Sequence, residues 1–491
     1  MSKFNGTSTN KTVNKCGHVA YVMQDREKLM TQVLSTFYNE KKFYGDNSQE
    51  IVETAKRVCE KDPKFVANLA IYARKEFHLR SISHVLTCIV ANTVGAKKYT
   101  RIVVNNVVER PDDLTEILAC YIDMYGKVVN KATGKKTCRP IPNSLKKGLA
   151  DGMNKFNEFL FSKYNGGSKE IKFKDILQLT HPKPKNEVQK EIFGKILKDE
   201  LAVATRWETE VSAKGNNEET WESLIEKNQV PYMAALRNLR NIINANPKNI
   251  DKVYDKLANR DEVLKSKQLP FRFYSAYKEI SEMKNITNKP LEVLETALDY
   301  SVENMEKIPG RTAICIDCSS SMSYYSISSD STIRCNEIAS LLGVMATKIC
   351  DESVIYLFDH AAYRKLISKN ASILETTKNI CFYGGSTNIA APIQKMMDDG
   401  MKVDRVIILS DNQANCQKGT TQSYMERYRE KYDENIWVHS IDLMGYGTQQ
   451  FYGNKINLIA GWSEKVLNFI MLAEKGTGSL IKTISDYVIK E

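Results

Sequence analysis

From about Ser48 to Ser301 the apolar residues recur at helical spacing. In Ile51–Lys61 the positions Ile51, Ala55, Val58 and Cys59 fall at i, i+4, i+7 and i+8, one face of a helix. Lys64–His78 repeats the pattern with Phe65, Leu69, Tyr72 and Ala73, and Asp112–Tyr125 repeats it with Leu114, Ile117, Leu118 and Tyr121. Pro63 and Pro111 each stand at a first helical turn, where a missing N–H costs nothing. The same reasoning predicts helices over Asn143–Lys163, Asn186–Leu201, Thr220–Lys227, Tyr232–Asn244 and Pro290–Met305.

The pattern changes after Pro309–Gly310. Short β-rich runs at Thr312–Asp317, Ser353–Asp359, Arg405–Asp411 and Asn435–Leu443 alternate with helical runs at Ile333–Ile349, Asn388–Met397 and Thr421–Lys431. Such alternation predicts a doubly wound, mostly parallel sheet of Rossmann-like α/β type. Pro63 and Pro111 lie 48 residues apart, a spacing near that of HEAT-type helical pairs. The expected organisation is a flexible arm over 1–15, an all-α helical-repeat domain over 16–305 and an α/β domain over 306–491.

Ligand sites of open α/β sheets form beyond the carboxyl ends of the strands. Three oxygen-bearing segments are expected there. Asp317-Cys318-Ser319-Ser320-Ser321 is a DxSxS turn, Gly384-Gly385-Ser386-Thr387 precedes a helix, and Ile407-Ile408-Leu409-Ser410 runs into Asp411. Carboxylate and hydroxyl oxygens suit a hard divalent cation, Mg²⁺ first and Mn²⁺ or Ca²⁺ as alternatives. The expected metal set is Asp317, Ser319, Ser321, Thr387 and Asp411. The six histidines are scattered, and no GxxxxGK[ST], GxSxG or HExxH motif occurs, so no enzyme is expected. Asp359-His360 at a strand end is the one pair suggestive of catalysis, and no nucleophile motif accompanies it.

Charge is uneven along the chain. Residues 1–200 carry 35 Lys+Arg against 22 Asp+Glu, a net of +13, whereas residues 301–491 carry 20 against 22, a net of −2. A basic region beside a near-neutral one points to a polyanionic partner, most simply nucleic acid. The eleven cysteines form no dense framework, which fits reduced thiols and a cytoplasmic setting. No run approaches the ~18 to 20 apolar residues of a membrane helix.

The triple of DxSxS, GGxT and an apolar strand ending in Asp resembles the metal-ion-dependent adhesion site of von Willebrand A domains. By that resemblance Ser319, Ser321 and Thr387 would bind metal directly, and Asp317 and Asp411 directly or through water. Several stretches resemble the TROVE-domain family, the Ro ribonucleoprotein autoantigens and their bacterial and phage relatives. They include Phe173 to Pro184 (FKDILQLTHPKP), Tyr232 to Asn241 (YMAALRNLRN), Leu269-Pro270-Phe271 and Leu145 to Asp151 (LKKGLAD). The resemblance implies a ring of HEAT-like helical repeats closed by the A domain. It further implies binding of small structured Y RNAs on a basic outer surface, and of the single-stranded 3′ ends of misfolded noncoding RNAs in a central hole. Such proteins serve RNA quality control, and bacterial members tether an exoribonuclease through Y RNA.

On the same resemblance His181 and Lys163 match RNA-contacting positions. A family arginine between them has no counterpart here, and Lys169 stands nearest to it. Lys146, Lys147, Lys183 and Arg240 complete the expected RNA-binding set. Arg237 is expected to buttress neighbouring helices through carboxylates such as Glu208 and Glu210, and Trp207 and Trp221 to lie in the core. The rival reading is a scaffold in which the A-domain metal recruits an acidic protein partner and RNA is incidental.

Overall fold

The computed structural model describes residues 11–14, 16–22, 24–35, 48–129, 136–165, 170–202, 206–324, 333–380, 384–416, 419–444, 448–460, 465–475 and 480–487. The chain divides into two compact units. One comprises residues 25–39, 47–204 and 478–491, and the other residues 1–24, 40–46 and 205–477.

The first unit is helical. Ser48–Lys61, Pro63–Lys75, Ser81–Asn92, Lys97–Val107 and Pro111–Tyr121 follow one another, with Asn143–Met153, Glu158–Tyr164, Phe173–Thr180 and Glu187–Lys198 after a short β3–β4 ribbon (Lys127–Val129, Lys136–Cys138). Both prolines open their helices as expected, and Asp62 caps the first by accepting from the Phe65 N–H. The helix expected over Asn143–Lys163 is two helices. Asn154 ends the first, and Asn157 starts the second by accepting from the Leu160 N–H. Helix Asn143–Met153 packs through Leu145, Gly148, Leu149, Gly152 and Met153, all buried. A Cβ at Gly148 would stand 2.7 Å from Val104 Cβ, so only glycine permits this close approach.

Asp113 ties this unit together from a fully buried position. Its carboxylate accepts from Arg80 Nε at 2.5 Å and Arg74 Nη2 at 3.1 Å, meets His84 Nε2 at 3.1 Å, and accepts the Glu109 and Arg110 N–H groups at 2.9 Å each. Burial would raise its pKa, but His84 and Arg80 hold it well below the usual carboxylate range. The last described helix, Leu480–Ser485, belongs to this unit rather than to the α/β domain where it was expected. The physical reason is the buried Asn68 amide, whose Nδ2 donates to the carbonyls of Ile484 at 2.8 Å and Ser485 at 3.0 Å.

The second unit begins with helices between Trp207 and Ser301 and continues into a six-stranded sheet. The sheet strands are β5 (Ile308–Asp317), β6 (Cys350–Phe358), β7 (Ala362–Lys365), β8 (Arg405–Ser410), β9 (Trp437–Asp442) and β11 (Ile456–Ala460), in the order β11-β9-β8-β5-β6-β7. All pairs are parallel except β6–β7. Both faces are covered, so Ala313–Ile316 of β5 and Val406–Leu409 of β8 are continuously apolar. Ala313 and Cys315 join a core with Tyr356, Ile408, Ile393, Met425 and Tyr428. Ile314 and Ile316 meet Gly343 of the helix Cys335–Ile349 on the other face.

Buried Arg405 and half-buried Glu474 clasp the helix Lys465–Lys475 to this sheet. His439 joins them through Nε2 at 2.8 Å from Glu474. Lys11–Val13 were expected in a flexible arm. Instead they form β1, antiparallel to β2 (Val19–Val22), which in turn pairs with β10 (Thr448–Gln449). Residues 1–10 of that expected arm lie outside the described residues.

Asp113→Asn is expected to destabilise the chain by about 3–5 kcal/mol, because it leaves Arg74 and Arg80 buried or half-buried with one charge partner fewer. Chemical denaturation of the full chain measures this, and a loss under about 1 kcal/mol would refute it.

Candidate metal centre and nucleic-acid interface

Strands β5 and β8 run parallel in the register Ile316 to Leu409, so their carboxyl ends deliver Asp317 and Ser410-Asp411 side by side. Ser410 Oγ donates to Asp317 Oδ2 at 2.6 Å, and the Ser319 N–H donates to Asp317 Oδ1 at 2.9 Å. Ser319 Oγ and Ser321 Oγ stand 3.2 Å apart. The Gly384–Thr387 loop is laced onto this turn. The Gly384 N–H donates to Cys318 O, the Ser320 N–H to Gly385 O, and the Gly385 N–H to Ser320 Oγ at 2.7 Å. Gly384 and Gly385 adopt φ of 75° and 99°, a conformation side-chain-bearing residues rarely take.

Thr387 is held from the β8 side. Its N–H donates to Asn415 Oδ1 at 2.8 Å, and its carbonyl accepts the Asn415 N–H at 3.0 Å. Buried Asn14 then donates from Nδ2 to Ala414 O at 2.9 Å. The N-terminal strand pair therefore buttresses the loop that carries Asp411. Ser320, Ser410, Asn415 and Asn14 were missed in the sequence. The first two sit inside the motifs, whereas no local signal marks the asparagines.

Asp317, Ser319, Thr387 and Asp411 are buried, and Ser321 is half-buried. Burial, and then the neighbouring charge of Asp411, push the Asp317 carboxyl up to about 7. Its hydrogen-bond partners among the described residues are the Ser319 and Ser410 hydroxyls and the Ser319 N–H, all neutral. A hard cation fits this set, because it supplies the positive charge that two adjacent buried carboxylates need and accepts hydroxyl oxygens. Among the described residues no group of three or more His, Cys, Asp or Glu side chains could hold a metal. The serine and threonine hydroxyls would have to complete the set. Asp359 caps its own turn by accepting the Ala361 N–H, and His360 Nδ1 lies 3.0 Å from it.

The expected RNA contacts fall on both units. Lys146 and Lys147 lie on helix Asn143–Met153, Lys163 on helix Glu158–Tyr164, and His181 is the left-handed cap of helix Phe173–Thr180. Asn154 gathers part of this set. Its Nδ2 donates to Lys183 O at 3.0 Å, and its Oδ1 accepts the Lys185 N–H at 2.9 Å. Lys147, His181 and Lys183 are exposed, and among the described residues no carboxylate is paired with their side chains. Lys169 lies outside the described residues.

Arg240 stands on the other unit, exposed and paired with Glu279 at 3.3 Å. Arg237, expected as a buttress through Glu208 or Glu210, is instead exposed at the end of its short helix. Glu210 pairs with Lys214 at 2.6 Å. Trp221 is in the core as expected, and Trp207 stacks on it at 6.4 Å while half-buried.

A helix-rich N-terminal part followed by an α/β domain with hydroxyl-bearing loops at its strand ends defines a two-part class, helical domain and von Willebrand A domain. The TROVE domain family matches residues 22–205 and 190–321, and the Ro60 vWA domain matches 311–439. The chain belongs to the TROVE family, whose members are RNA-binding proteins. It is also similar to telomerase protein component 1 of Rattus norvegicus and of Mus musculus. Each is 21% identical over 335 residues, covering 52% of this chain and 12% of the relative. The crystal structure of the Deinococcus radiodurans Ro (RSR) protein shares the fold, with a TM-score of 0.65 at 13% identity over 91% of this chain and 99% of that one.

The raised Asp317 pKa sets a pH dependence. The folded, metal-free protein holds a proton between the ordinary carboxylate value and about 7 that the unfolded chain releases, so its stability falls as pH rises through that window. Mg²⁺ competes with this proton. The Mg²⁺-induced rise in Tm is expected to be larger at pH 7.5 than at pH 5.5 in thermal melts, and to vanish in Asp317→Ala. An equal rise at both pH values, or none, would count against a cation at this site.

Proposed function

We propose that this chain is a non-catalytic RNA-binding protein of RNA quality control. It takes small structured, Y RNA-like noncoding RNAs and the single-stranded 3′ ends of misfolded RNAs. The observation that carries this is the exposed set Lys147, His181 and Lys183 on the helical unit, paired with no carboxylate among the described residues, within residues 1–200 that hold 35 Lys+Arg against 22 Asp+Glu. Exposed lysines release counterions when they meet phosphates, which gives affinity that depends steeply on salt and weakly on sequence. Recognition then rests on RNA shape and on unpaired ends rather than on a base code.

In this reading the A domain is a secondary docking site. Mg²⁺ would be held by Ser319, Ser321 and Thr387 with Asp317 and Asp411, and would lend a positive centre for an acidic partner such as a tethered exoribonuclease. Nine cysteines among the described residues are free thiols, which supports a cytoplasmic setting.

A hairpin RNA with an unpaired 3′ tail is expected to bind better than its blunt counterpart in a gel shift at fixed salt. Replacing Lys147 and Lys183 by Ala should weaken both complexes and lower the slope of log K against log salt by about 1 to 2. Equal affinity for the two RNAs would overturn the end-recognition part. An unchanged slope would overturn the assignment of the two lysines.

A further inference from the structure

We propose that the outward face of the helix Glu158–Tyr164 is a stacking platform for an unpaired RNA base, with Phe159 as the stacking surface and Lys163 as its cationic flank. This rests on the RNA-binding reading above and adds to it a named contact for single-stranded RNA.

The helix has a core side and an outer side, and its aromatic residues divide between them. Phe161 is fully buried, edge-on to Phe156 at 6.0 Å and to Phe173 at 5.1 Å, and it anchors the helix. Phe159 precedes it by two positions, a rotation of roughly 200° at 3.6 residues per turn, and so points away from that anchor. It is 61% exposed. Lys163 follows Phe159 by four residues and shares its face. The one acid of the helix, Glu158, is neutralised by Lys195 Nζ at 2.7 Å.

Beside Lys163 stands a second aromatic–cation group. The Arg110 guanidinium carbon lies 4.5 Å from the centre of the Tyr164 ring, and Lys163 Nζ lies 5.3 Å from the same ring. Arg110 is also gripped by Asp112, from Nε at 3.0 Å and from Nη2 at 2.7 Å. Asp112 takes up much of the charge of this guanidinium and fixes it over the Tyr164 ring, so Arg110 serves chiefly to position that ring. Arg110 and Lys163 share that ring.

A lone exposed phenylalanine is ordinary on protein surfaces. An exposed aromatic one turn from a lysine matches what single-stranded nucleic acid uses: a ring face for the base and a cation for the backbone. A duplex cannot use the ring, because its bases are already stacked on one another. A cationic border also suits a polyanion better than an apolar protein surface.

The test uses the full chain with a labelled hairpin carrying a 3′ tail of about eight uridines, and the same hairpin blunt-ended, at one salt concentration. Phe159→Ala should bind the tailed hairpin about 5- to 100-fold more weakly, with blunt-hairpin affinity and Tm unchanged. Phe159→Trp should restore tailed binding, and Phe159→Leu should not. Ultraviolet irradiation should crosslink the tail to the peptide containing Phe159 in the wild type. If the wild type prefers the tail and Phe159→Ala binds both RNAs as the wild type does, the platform is refuted while the RNA-binding reading stands. Full rescue by Phe159→Leu would mark the residue as an apolar protein contact and likewise refute stacking. If the wild type binds neither RNA, both readings fall.

Discussion

Parallel strands β5 and β8 end side by side, and this one constraint places Asp317 next to Ser410-Asp411 in the interior, where two carboxylates cannot both ionise without a counter-charge. Much of the surrounding architecture serves to hold that arrangement. Gly384 and Gly385 lace a third loop onto the DxSxS turn through backbone bonds, and Asn415 fastens Thr387 to the segment after β8. Asn14 pins that segment in turn from the N-terminal strands.

The helical unit solves the opposite problem. It carries an excess of positive charge, and its interior takes up only part of it. Asp113 gathers Arg74, Arg80 and His84 around one buried carboxylate and so uses cations structurally. Other cations remain outside such pairs. Lys147 and Lys183 face solvent, and Asn154 holds the backbone of Lys183 and Lys185 against the end of a neighbouring helix. The division between paired interior cations and unpaired surface cations is what makes a basic composition useful for binding phosphate.

Some features were legible because their signal is local and periodic. Ile51, Ala55, Val58 and Cys59 announced their helix, Pro63 and Pro111 marked helix starts, and the apolar runs before Asp317 and Asp411 announced buried parallel strands. Breaks inside helical runs were less legible, because Asn154 and Asn157 act through caps that compete with an intact apolar pattern. The antiparallel edge strand β7 and the short β1 and β10 strands carry too few residues for a period to register. Arg237 was misjudged for a similar reason: a helical period shows which residues share a face, not which of them finds an acidic partner.

The sequence by itself determined the order of a helix-rich part and an A domain. It also determined the five oxygen-bearing metal candidates and the concentration of positive charge in the first 200 residues, since periodicity, motif spacing and composition need no third dimension. Tertiary structure alone decided that residues 480–487 return to the helical unit and that Lys11–Val13 form a strand, not an arm. It alone brought Arg110 over Tyr164, 54 positions away in the chain. These contacts depend on which backbone carbonyls, ring faces and carboxylates the fold leaves open. A buried amide such as Asn68 or Asn14 takes whichever acceptor packing brings within reach, however distant in sequence.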